Sequence, residues 1–110
     1  MGRLFKRLQS QVPDRSKNQS SLDLLSQMEQ LTLSTKSQVP PKVARMPATQ
    51  QAEEKGNYRQ MMVNLMRLEL DMEEQLTNSD NTKAADTLKE MDKLQREGHD
   101  EFRPKRGARD

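Results

Sequence analysis

Seven apolar residues between positions 58 and 76 set the first constraint on this chain. Tyr58, Met61, Met62, Leu65, Leu68, Met72 and Leu76 keep helical spacing over about five turns, a pattern that the period of two in a strand does not produce. Strand signals are nearly absent, because the β-branched aliphatics are Val12, Val39, Val43 and Val63 and they never cluster. The expected fold class is therefore all-α.

Three further helical stretches accompany this one. Met1, Leu4, Phe5 and Leu8 follow the i, i+3, i+4, i+7 template and place a first helix at 1–11, ended by the turn Val12-Pro13-Asp14. A second helix is expected over 20–37, with Ser20 or Ser21 as N-cap and apolar stripes made by Leu24, Met28, Leu31 and by Leu22, Leu25, Leu33. Val39-Pro40-Pro41 ends it, and a short turn is expected around Pro41 to Arg45. The long third helix spans 49–76. After the polar turn Thr77 to Asn81, a fourth covers 81–103 with Ala84, Ala85, Leu88, Met91, Leu94, His99 and Phe102, stopped by Pro104. Short connections make neighbours antiparallel, so the economical arrangement is a single up-down four-helix bundle over 1–104 with a short first helix. Residues 105–110 are expected to be a disordered basic tail.

Composition narrows the function. Hydrophobic residues are 31% and charged residues 33% of 110, with three aromatics; a core this thin commonly needs a partner or a cofactor. Without cysteine there is no disulfide, thiolate metal site or Cys nucleophile, and the single histidine excludes a multi-His metal centre. No nucleophile–base pair can be assembled, so an enzyme is not expected. Residues 1–17 carry +4, residues 51–101 carry −6 and residues 103–110 carry +3. The basic ends lack interleaved aromatics, which argues against nucleic acid. No apolar run approaches a membrane span. Glu69, Asp71, Glu73 and Glu74 read as a solvated face.

His99 is the residue of interest. It lies on or beside the inward stripe with Leu88, Met91 or Asp92, Gln95 and Phe102, and Gly98 before it leaves room for close approach. A satisfied, partly buried histidine is the bland alternative. Eight methionines make a soft core, or supply a soft metal ligand.

Several segments together resemble the cytochrome b562 family of periplasmic four-helix-bundle haem proteins. Residues Lys83 to Met91, continuing through Gly98-His99-Asp100-Glu101-Phe102-Arg103, look like the last helix of that family, whose His ligand stands four residues before a terminal Arg. Thr35 to Lys42 resembles its Pro-Pro-Lys exit from the second helix. Tyr58 and Met62 fall where the family places haem-contacting aromatics, and Met1-x-x-Leu4-x-x-x-Leu8 falls on the segment that carries its Met ligand. The resemblance implies haem b, held non-covalently by His99 and Met1. Leu4, Leu8, Tyr58, Met62 and Phe102 would wall the porphyrin, and Arg103 and Arg106 would face the propionates. It also implies electron transfer with redox partner proteins, a periplasmic location, and a monomer or weak dimer. The alternative is a haem-free bundle or interaction module of the same fold. Because Met1 precedes the small residue Gly2 and no signal peptide is visible, the working protein is expected to start upstream, with Met28, Met62 or Met66 as substitute ligands otherwise.

Overall fold

A computed structural model describes residues 2–102 and contains helices and turns, with no strand among the described residues. The order is α1 (Gly2–Gln11), a 3-10 turn (Arg15–Lys17), α2 (Asn18–Thr35), α3 (Pro41–Ala44), α4 (Ala48–Thr77) and α5 (Asn81–Phe102). The principal seams run α1 to α2, α2 to α4 and α4 to α5, while α3 lies against α4 and α5. No described helix is long and apolar enough to cross a membrane.

The expected breaks fall where turn chemistry places them. Pro13 follows α1, and Asp14 then accepts hydrogen bonds from the Ser16 amide (3.0 Å) and hydroxyl (2.6 Å), which closes the 3-10 turn and holds the exposed Asp14 carboxyl below its usual range. The second helix begins at Asn18 rather than at a serine cap, because that turn feeds directly into it. Pro41 starts α3 at a position where a missing N–H costs nothing. After Thr77 the chain reverses through Ser79, at φ 57°, with the Asp80 amide donating to the Gln75 carbonyl at 2.8 Å. The Asp80 carboxylate then accepts from the Lys83 amide at 3.2 Å and caps α5.

Contacts along the seams fix antiparallel order. Thr87 donates to Gln75 near the α4–α5 turn, and Tyr58 meets Phe102 at the far end. Asn18 reaches the Leu76 carbonyl, whereas Thr32 meets Glu69 and Thr35 meets Tyr58. Between these points lies a core of Phe5, Leu8, Val12, Leu24, Leu25, Met28, Leu65, Met72, Leu76, Ala84 and Met91, all buried.

Two expectations about the stripes are corrected. Leu31 (38% exposed) and Leu33 (59% exposed) face outward, and Thr32 between them takes the interior position. The inward period of α2 runs Leu25, Met28, Thr32, in steps of three and four, and a residue one place to either side is turned by about 100°. Glu69 does not lie on a solvated face. It is fully buried, four residues after Leu65 and three before Met72 on the inward side of α4.

Candidate functional site

The two ends of the helical stack differ. At the end holding the α1–α2 and α4–α5 turns, Asn81 donates to the Val12 carbonyl (2.5 Å) and the Asn18 side chain (2.8 Å), while Asn18 donates back to Asn81 (3.2 Å) and Arg15 donates to the Ser79 carbonyl (2.9 Å). These bonds tie that end together, beside a polar surface groove of about 530 Å³ between Pro13, Arg15 and the Asn78–Thr82 turn. The opposite end contains a cavity of about 430 Å³, walled by Gly2 of α1, Thr35 and the Gln38–Pro41 link, Tyr58, Met61, Met62 and Leu65 of α4, and Gln95, Gly98, His99 and Phe102 of α5.

Each wall has a local cause. Phe102 is 4% exposed and meets Tyr58 edge-on, with ring centroids 5.3 Å apart and planes at 82°, the favoured geometry for two aromatic quadrupoles. The Tyr58 hydroxyl donates to the Thr35 carbonyl at 3.2 Å, which also serves one of the last carbonyls of α2. The proline pair carries the chain across the mouth of the cavity. His99 lines it from the solvent-exposed side of α5.

Gly98, one residue earlier, is buried against α4, and the Met61 thioether fills the volume that a Cβ at position 98 would need. The glycine thus admits a bulky neighbour, as its place beside His99 suggests, and that neighbour is a sulfur from this chain. Of the residues expected to wall a porphyrin, the cavity brings together Tyr58, Met62 and Phe102, and it also holds His99, the expected iron ligand. Leu8 is instead fully buried in the core and Leu4 half-buried against it, and neither lines the cavity. The helical period that places Gly2 at the mouth turns Leu4 and Leu8 toward α2 and the centre of the stack. Met1, Arg103, Arg106 and the tail 105–110 lie outside the described residues.

Sequence reasoning missed Met61, Leu65 and Gln95 as walls, although each lies on a face already marked by Tyr58 or His99. Val39 and Pro40 carried a signal as well, in the Pro-Pro-Lys step. Compared with known proteins, the chain matches no family model, no curated protein and no solved structure.

Proposed function

We propose that α1, α2, α4 and α5 form a four-helix bundle that binds one haem b non-covalently and transfers electrons. His99 would hold the iron through an imidazole nitrogen, together with a methionine sulfur, that of Met1 by the family resemblance. One observation carries the reading: the only histidine of the chain stands on the wall of an apolar cavity with two aromatic rings.

The residues present fit the group. A cavity of about 430 Å³ lies within the roughly 300–1,000 Å³ of ordinary ligand pockets. It offers an imidazole at His99, thioethers at Met61 and Met62, and aromatic and aliphatic walls, with no carboxylate on its lining among the described residues. When bound, haem supplies a one-electron redox centre whose potential His/Met ligation raises. Tyr58, anchored through its hydroxyl to Thr35, and Phe102, locked against Tyr58, keep apolar ring surface toward the cavity and exclude water. Met62 and Leu65 close its inner side. Arg103 and Arg106 are assigned to the propionates because a guanidinium pairs with carboxylate in two hydrogen bonds. In this reading the protein works in the periplasm with redox partners and turns over no substrate.

Exposed Leu33 and Leu70, at 59% and 50%, favour a second reading, a haem-free bundle that docks on a partner. Haem titration followed by absorption separates the two. The haem reading expects one equivalent bound with a low-spin spectrum that His99→Ala removes while helical content persists. A spectrum unchanged in His99→Ala, or no binding by the wild type, overturns it.

A further inference from the structure

The seam between α2 and α4 has a polar centre. Glu69 is fully buried there, and its Oε2 lies 2.8 Å from the Thr32 hydroxyl. Its Oε1 and Glu29 Oε2 are both buried without a hydrogen-bond partner. Glu29 stands on α2 one turn before Thr32, and Glu73 one turn after Glu69 on α4.

Proton counting assigns the state of this cluster. The Thr32 hydroxyl also lies 3.0 Å from the Met28 carbonyl, four residues back in its own helix, a common destination for a helical threonine proton. A hydroxyl has one proton to give. With that proton on Met28, the contact to Glu69 is a hydrogen bond only when the carboxyl supplies the proton. A neutral Glu69 therefore donates to Thr32, and Thr32 donates to Met28. An ionised Glu69 must take the Thr32 proton for itself, and still leaves a charged carboxylate buried with one bare oxygen, which is costly.

Burial favours the same neutral state. Burial pushes the Glu69 carboxyl up to about 7; the Thr32 hydroxyl opposes the shift and the Glu29 charge adds to it. Glu29 is pushed up to about 7 as well, by burial first and then by the charge of Glu73 and a hydrogen bond to its carboxyl. The charged groups acting on the two are thus Glu29 from α2 and Glu73 from α4. Neither α1 nor α5 contributes a cation to these shifts.

We propose that the buried Glu69 carboxyl, paired with Thr32 across the seam, is a proton-operated latch between α2 and α4. Protonated, it holds the C-terminal half of α2 on α4; deprotonated, it drives that half away. Thr35, one turn beyond Thr32, supplies both the carbonyl that anchors Tyr58 and part of the cavity wall. The latch therefore sits beside the cavity, and it operates whether or not a cofactor is bound.

The sign follows from linkage. A carboxyl that holds its proton more tightly when folded contributes stability in full below its unfolded value near 4.5, and that contribution is lost as pH rises to about 7. For each proton held by the folded state alone, the folding constant falls about tenfold per pH unit across that window.

The test uses the full chain, with urea unfolding and amide-exchange protection factors measured from pH 5 to pH 8. The expected wild-type result is a falling unfolding midpoint and protection lost at residues 32–36 while the centre of α5 near Met91 stays protected. Glu69→Gln, a neutral isostere, should make both trends shallower, leaving only the part that Glu29 carries. A carboxyl-carbon titration of the wild type by NMR keeps the test decisive if that variant does not fold, because it should place Glu69 well above an ordinary glutamate. A flat wild-type profile, an unshifted Glu69 titration, or an unchanged slope in a folded Glu69→Gln overturns the latch.

Discussion

Replacing Gly98 by alanine sets two effects of similar size against each other. Position 98 lies inside α5, where alanine is favoured over glycine by about 1 kcal/mol. The added Cβ, however, lands on the Met61 sulfur, with the Met61 terminal methyl close behind. Both the sulfur and the methyl must move, but they are the far end of a flexible side chain, so the cost belongs at the middle, about 2 kcal/mol, of the roughly 1–3 kcal/mol typical of overpacking. The expected outcome is a net loss of about 1 kcal/mol for Gly98→Ala, or a melting temperature lower by about 4–8 °C for a domain of this size. In a Met61→Ala background the obstacle is gone, and the same substitution should stabilise by about 1 kcal/mol. The two backgrounds therefore differ by about 2 kcal/mol, a coupling expected only of residues in contact. Urea denaturation followed by far-ultraviolet circular dichroism, on all four members of the cycle, measures it. Equal effects of Gly98→Ala in both backgrounds would refute the close approach of Met61 to Gly98 and with it the described shape of the cavity floor.

Two further expectations concern the tied end. Asn81→Ala removes the donor to Val12 and both bonds to Asn18 and should cost about 1–3 kcal/mol in urea unfolding, the range for buried polar groups left unpaired; a loss within error would show that water replaces the amide. Ser79 occupies the left-handed region without being glycine, so Ser79→Gly should raise stability by up to about 1 kcal/mol, and a destabilised variant would show that the serine side chain has a role there.

Much of this architecture is written in short-range signals. Val12-Pro13-Asp14 and Thr77 to Asn81 terminate helices through chemistry confined to a few residues, and the inward residues of α4 were legible from their spacing. The interior of the α2–α4 seam was harder to read because hydrophobicity misleads there. Leucines at 31 and 33 outrank a threonine on any apolar scale, yet helical phase puts Thr32 inside. Glu69 carried a legible sign of burial, its place between Leu65 and Met72, and was masked by the acidic residues that follow it. Tyr58, Met62 and Phe102 reach the cavity as their helical faces imply, whereas His99, expected on or beside the inward stripe, is exposed and reaches it from the outer side of α5. Leu4 and Leu8 do not, because the period of α1 that brings Gly2 to the cavity carries them onto other faces, and nothing within α1 says which of its residues stands at the cavity.

The Asn18–Asn81 amide pair also makes the molecule a lever. Both asparagines begin long helices at the same end, and the hydrogen bonds that join them act as a pivot. From Asn81 to Phe102 the arm of α5 is about 30 Å long at 1.5 Å per residue. A tilt of about 5° around that pivot displaces Phe102 by nearly 3 Å, comparable to a water diameter, while the asparagines themselves barely move. A rotation of α5 about that end would thus be magnified at the cavity mouth, where the Phe102–Tyr58 ring contact resists it.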